Sequence, residues 1–100
     1  MIDLSRIEGF EWDRGNSRKS VAKHGVAQNE AEQVFFNEPL LFVQDVAHSV
    51  LEARLHALGR TDAGRLLHIT YTLRDAGRLI RVISARTMSR KERRRYEQET

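Results

Sequence analysis

The chain has 100 residues, no Cys, 40% hydrophobic and 31% charged side chains, and a formal net charge of +3. These figures fit one globular domain and exclude a disordered chain, a disulfide framework and a thiolate metal site. No apolar run approaches the ~20 residues of a membrane span, and Met1–Phe10 lacks a basic start followed by an apolar core, so the expected setting is cytoplasmic, with no membrane attachment.

In chain order the sequence predicts a short strand, two helices, four strands and a last helix. Phe10 and Trp12 flank Glu11 in a short alternating segment, the first strand. Asp13 can cap a helix that runs to about His24, and Gly25 supplies the left-handed residue that closes it. A second helix is predicted over Gln28–Asn37, because Ala31, Val34 and Phe35 share one face and Pro39 disfavours helical backbone at Glu38.

Leu40–Gln44 reads as the next strand and Asp45–Val50 as a turn. Arg54–Arg60 then alternates, with Leu55, Ala57 and Gly59 on one side and Arg54, His56, Leu58 and Arg60 on the other. After a turn at Thr61–Gly64, the strand Leu66–Leu73 opposes Leu67, Ile69 and Tyr71 to Leu66, His68 and Thr70. Asp75–Gly77 makes a tight turn into Leu79–Arg86, where Ile80, Val82 and Ser84 alternate against Leu79, Arg81 and Ile83. Successive strands on short turns form an antiparallel meander. The expected fold class is α+β, a small antiparallel β-sheet packed with helices, covered on both faces near the middle of its last two strands.

Ser89-Arg90-Lys91-Glu92 is a capping box: the Ser hydroxyl can accept from the Glu92 N–H while the Glu92 carboxylate accepts from the Ser89 N–H. The helix it starts has Tyr96 as its one sizeable apolar side chain, and it sets Arg90, Lys91 and Arg93 at the positive end of its own dipole. Charge is concentrated here. Residues 86–100 carry six basic and three acidic groups, whereas residues 1–85 balance at eleven of each. An anionic ligand or partner would relieve that concentration; a solvated charged helix is the plainer reading.

Phe10-Glu11-Trp12-Asp13, Lys23-His24-Gly25-Val26, Glu30-Ala31 with Val34-Phe35 and Pro39, Glu52-Ala53-Arg54 with Leu58-Gly59-Arg60, Tyr71-Thr72, Arg81-Val82-Ile83-Ser84-Ala85-Arg86 and Glu92-Arg93-Arg94-Arg95-Tyr96 stand in an order and spacing that resemble the BrnT toxins. The resemblance spans about residues 9 to 97. It implies a RelE-like toxin fold and a ribonuclease that arrests growth by cleaving RNA. It also implies a BrnA-like antitoxin with a ribbon-helix-helix part, and a complex that reaches operator DNA only through that antitoxin. One departure is Ala27, where the family has Ser or Thr; Asn29 could cap the helix one turn later.

Metal-independent RNA cleavage uses the 2′-hydroxyl as nucleophile and needs a base, an acid and a cation for the phosphate. The sequence holds no Asp, Glu and His cluster at metal-ligand spacing, so no metal or other cofactor is expected. Arg86 and Arg93 are candidate phosphate ligands, because a guanidinium donates two parallel hydrogen bonds. Glu52 and His24 are candidate proton-transfer groups, and Tyr96 a group that stacks on a base or donates to phosphate. Arg54, Arg60, Arg90 and Arg94 are candidates for the RNA-binding surface. Each has a plainer alternative: an ion pair for Arg86, Arg93 and Glu52, solvent-facing charge for Arg54, Arg60, Arg90 and Arg94, a helix-end His for His24, a core anchor for Tyr96. His68 reads as an ordinary strand residue, and His56 carries no signal of its own. A second function class, a non-catalytic nucleic-acid-binding or co-repressor module on the same basic helix, fits the composition equally well.

Overall fold

Alternation in the sequence becomes one mixed sheet in a computed structural model that describes residues 4–12, 24–44 and 54–100. Its strands are β1 (Gly9–Glu11), β2 (Leu41–Gln44), β3 (Leu55–Arg60), β4 (Leu66–Arg74) and β5 (Leu79–Thr87), in the order β1-β5-β4-β3-β2. Two helices, α1 (Gln28–Val34) and α2 (Arg90–Glu99), complete the main described elements. The helix expected from Asp13 and the turn at Asp45–Val50 lie outside the described residues, apart from His24, which is helical, and Gly25 after it, at φ +64°.

The expected meander is present: β2, β3, β4 and β5 pair antiparallel in sequence order. The expectation of a wholly antiparallel sheet needs one correction. β1 runs parallel to β5, with Phe10 opposite Ile80. Hairpin geometry forces antiparallel pairing only on strands joined by a short turn, and β1 is far from β5 in sequence. The β4–β5 turn places Asp75 and Ala76 at φ +54° and +55°, with the Gly77 N–H donating to the Arg74 carbonyl. The loop spans four residues, since Arg74 pairs with Leu79, and the Arg78 N–H donates in turn to the Asp75 carbonyl.

One face of the sheet carries the main core. Val26, Ala31, Val34 and Phe35 pack on Ala57, Leu67, Ile69, Tyr71, Ile80, Val82 and Ala85. Gly59 lets α1 approach β3 closely: a Cβ there would lie 2.7 Å from Val34 Cγ1. The helix ends at Val34, short of the expected Asn37, because the Phe35 and Phe36 N–H groups bond three residues back, to Glu32 and Gln33. Its N-cap is Ala27, not Asn29. With no side-chain acceptor at the cap, the Glu30 carboxylate alone closes the end, accepting the Ala27 N–H at 3.0 Å.

The other face holds a smaller cluster of Leu58, Met88 and Tyr96, with Leu41, Val43 and Leu66 against it. Tyr96 is the one buried residue of α2. The helix therefore covers only part of this face, and the polar side chains of β3 and β4 lie beside it.

A bulge decides which side chains those are. Thr70 pairs with Ser84 and Tyr71 with Val82, so Ile83 is an extra residue on β5. Strict alternation from Ile80 and Val82 would turn Ser84 and Arg86 into the main core. The extra residue flips the strand, Ala85 enters the core, and Arg86 comes to the face that α2 covers.

Candidate functional site

At the foot of α2, three strands and the capping box bring five polar side chains into one hydrogen-bonded chain. His56 stands on β3, His68 and Thr70 on β4, Arg86 at the end of β5 and Glu92 in the first turn of α2. The register sets Thr70 beside His56, and Arg86 beside His68. Glu92 reaches them because the Ser89 cap fixes the start of the helix, with the Glu92 N–H donating to Ser89 Oγ at 3.1 Å.

The Glu92 carboxylate accepts from Arg86 Nη1 and Nη2 at 2.8 and 2.9 Å, and from the Ser89 N–H at 2.9 Å. His68 Nδ1 lies 2.6 Å from the same carboxylate. Burial alone would push the Glu92 carboxyl up, but the donated hydrogen bonds from Arg86 and Ser89 and the adjacent His68 outweigh it and hold it at about 2. The bond to Glu92 raises Arg86 further above its ordinary value despite partial burial. His68, with its side chain 14% exposed, is pulled down by burial, and the attraction of Glu92 only partly offsets this.

These charges fix the hydrogens. An ionised carboxylate only accepts, so His68 Nδ1 carries the proton and donates it to Glu92. Arg86 Nη2 comes within 2.9 Å of that nitrogen because both donate to the same oxygen. The Nε2 of neutral His68 is then an acceptor, and His56 Nδ1–H donates to it at 2.8 Å, with Thr70 Oγ1 at 3.1 Å from the same His56 nitrogen. The rings meet edge to face, their centroids 5.0 Å apart.

Of the residues singled out from sequence, Arg86 enters this cluster, with its two terminal nitrogens turned onto Glu92 and Nη1 also donating to the Thr87 carbonyl. Arg93, the residue after Glu92, is exposed, as are Arg90, Lys91 and Arg94. None of the four forms an ion pair with another described residue, whereas Arg95 pairs with Glu99. Tyr96 takes the anchoring position: it is buried, and its hydroxyl donates to the Pro39 carbonyl at 2.6 Å. Burial raises its hydroxyl, and nearby Arg60 partly offsets that.

Arg54, just before β3, and Arg60, its last residue, are exposed. His24 is not brought to the cluster. It precedes Gly25, whose carbonyl accepts from Arg65 beside α1, where Arg65 also pairs with Glu30 at 2.8 Å. Glu52 lies outside the described residues. Sequence reasoning passed over His56, His68 and the second role of Glu92. The available signal was that both histidines fall on the non-core side of neighbouring hairpin strands.

Among the described residues no helix is long and apolar enough to cross a membrane. A comparison with curated proteins finds no match. In a comparison with solved structures, the crystal structure of the Brucella abortus ribonuclease toxin BrnT is similar at a TM-score of 0.62 and 20% identity, covering 82% of this chain and 97% of that one. At that identity the likeness concerns the fold, and it agrees with the expected α+β architecture. The profile of a family described as "Ribonuclease toxin, BrnT, of type II toxin-antitoxin system" matches residues 12–92. With most of its length matched in this way, the chain belongs to the BrnT family of ribonuclease toxins.

Proposed function

We propose that this chain is a metal-independent endoribonuclease toxin whose RNA-binding surface is the exposed side of α2. The carrying observation is a set of cations that have no ion-pair partner among the described residues. Arg90, Lys91, Arg93 and Arg94 extend into solvent from the helix whose first turn holds the polar cluster. Arg93 is the phosphate ligand nearest in sequence to that cluster, and Arg54 and Arg60 extend the surface along β3. Arg86 acts through Glu92, keeping the carboxylate ionised and the helix start in place. The cleavage is transesterification: the 2′-oxygen attacks phosphorus and the 5′-oxygen leaves, which needs proton transfer and charge neutralisation but no hydrolytic metal.

The same surface needs silencing in the cytoplasm. A BrnA-like ribbon-helix-helix antitoxin is the partner, in a complex of two toxins and two antitoxins that meets operator DNA through the antitoxin alone. The decisive experiment incubates the purified, antitoxin-free chain with free and ribosome-engaged RNA in excess EDTA. Cleavage under chelation is expected. Activity that vanishes with EDTA and returns with magnesium would overturn the metal-free mechanism. RNA binding without any cleavage favours a non-catalytic binding or co-repressor module.

A further inference from the structure

We infer that an apolar groove, formed by the residues before β1, the end of α1 and the start of β2, is a second docking site for the antitoxin, separate from the RNA-binding surface of α2. This rests on the covering of α2 by that partner and adds the contact that holds it there. The groove has a volume of about 690 Å³. Its floor is Phe35 and Ile80, both buried in the main core. At its mouth stand Leu4 and Phe36, 41% and 76% exposed, the two exposed large apolar side chains among the described residues. Phe36 follows the last residue of the α1 cap, and its ring meets Phe10 edge-on, the centroids 6.0 Å apart at 71°. Single exposed apolar side chains scattered over a surface are ordinary. Here both converge on one concavity, and an apolar surface gathered in that way marks contact with another protein.

The lining selects the occupant. Asn37 and Glu38 are its only polar residues among the described ones, so the groove offers phosphate no cation and one carboxylate, and RNA does not belong in it. A member of a type II toxin-antitoxin family has a protein partner, and the groove is continuous with the surface assigned to that partner. Pro39 lines the groove, and its carbonyl accepts from Tyr96, the residue that anchors α2. Asn37 also lines it and donates to the Arg60 carbonyl at 3.0 Å. The exposed Arg60 is close enough to Tyr96 to oppose the upward push of burial on its hydroxyl. Groove and basic helix are thus joined through Pro39 and Arg60, a short crossing for one partner chain. Its matching chemistry is large apolar side chains for the groove, followed by carboxylates for Arg60 and the α2 cations. A second copy of this chain has only Leu4 and Phe36 to offer among its described residues, and those already form its own groove.

The two surfaces then divide the work. Exposed charge on α2 steers the partner in over long range and is screened by salt. Apolar side chains desolvated in the groove act after encounter, and they set how slowly the partner leaves.

The test uses the intact chain and the purified product of the neighbouring reading frame, with association and dissociation followed separately. Phe36 is exposed, so Phe36→Ser and Phe36→Leu should melt as the wild type does. Phe36→Ser should speed dissociation by about tenfold or more, with the association rate and its salt dependence little changed. Phe36→Leu, which keeps an apolar side chain at the mouth, should recover most of that loss. The free Phe36→Ser chain should cleave RNA as the wild type does. Benzoylphenylalanine in place of Phe36 should cross-link to the neighbouring product on irradiation. A dissociation rate unmoved by Phe36→Ser overturns the docking site and leaves the covering of α2 in place. Cross-linking to a second copy, in a dimer that Phe36→Ser breaks, assigns the groove to the chain itself and overturns it likewise. Loss of RNA cleavage by free Phe36→Ser overturns the separation of the two surfaces. A neighbouring product that does not bind the wild-type chain removes both readings of the partner.

Discussion

Arg86 and Glu92 face each other across the junction of β5 and α2, joined by parallel hydrogen bonds of 2.8 and 2.9 Å. The pair lies at the sheet's surface, the Arg side chain 38% and the Glu side chain 22% exposed. It ties the helix start to the sheet at a place where burial is slight, since α2 contributes only Tyr96 to the core.

The first prediction follows from that pair. Glu92 folds with a carboxyl held at about 2, below its ordinary value near 4.5. A carboxyl depressed by folding adds stability above its unfolded value and loses it as pH falls toward the folded one. Urea unfolding should therefore show stability falling between about pH 4.5 and 2, and Glu92→Gln should flatten that slope. At pH 7, Glu92→Gln or Arg86→Ala should cost about 1–3 kcal/mol, as removal of a charged hydrogen-bond partner usually does. His68 adds a smaller effect of the same sign, because burial lowers it and the unfolded chain takes up the proton first as pH falls below ~6.5. An Arg86→Ala protein as stable as wild type at pH 7 would show the pair to be ornamental.

Arg93 should behave in the opposite way. It is exposed and forms no ion pair with a described residue, so Arg93→Ala should change stability by less than ~0.5 kcal/mol. RNA affinity should fall, and the slope of log affinity against log salt should lessen by about 0.7 for each phosphate of a single strand that the variant no longer neutralises. Filter binding at several salt concentrations measures both. An unchanged slope would take Arg93 off the RNA-binding surface.

Much of this architecture is legible in sequence, and the gaps have physical causes. The alternation of β3 and β4 places Leu58, His56 and His68 on their true face, and the Ser89 box places α2. Period-two reasoning fails at Ile83, because no local pattern in Val82-Ile83-Ser84 marks the extra residue that turns Arg86 over. Glu92 hides for another reason: a cap explains the residue fully at short range, and its bonds to His68 and Arg86 arise only when sheet and helix meet. Ala27 shows the reverse, a missing cap that Glu30 makes good from inside the helix.

The β4–β5 turn yields a stability prediction independent of function. Ala76 sits at φ +55°, a region where a Cβ is crowded and glycine is not. Ala76→Gly should relieve ~1–2 kcal/mol of strain, less ~0.4–1 kcal/mol for the freer unfolded chain. The expected net gain is about 0.5–1 kcal/mol, read as a rise in melting temperature. The contrasting variant is Gly59→Ala, whose Cβ would meet Val34 at 2.7 Å. It should lose about 1–3 kcal/mol by overpacking. Equal effects of the two substitutions would contradict this reading of the turn and the helix packing.

The last prediction concerns control of the toxin. Five cations lie within six residues from Arg90 to Arg95, and those on α2 are exposed. The helix is held to the sheet through Tyr96 and Glu92, so a partner can cover its outer side without unfolding it. An acidic or helical antitoxin segment laid there neutralises the charge and blocks RNA in one step. Co-expression with the neighbouring reading frame should give a complex of two toxins and two antitoxins, each toxin–antitoxin interface burying well over ~1,000 Å². Amide exchange in α2 should slow on binding. Association should be steered over long range and so slow as salt rises, with dissociation much less affected. Replacing Arg90, Arg93 and Arg94 together by Gln should reduce the association rate and the salt dependence in parallel with RNA binding. A complex that forms at the same rate at low and high salt, leaves α2 exchanging as in the free chain and still permits RNA cleavage would place the antitoxin elsewhere and separate its binding from the silencing of this surface.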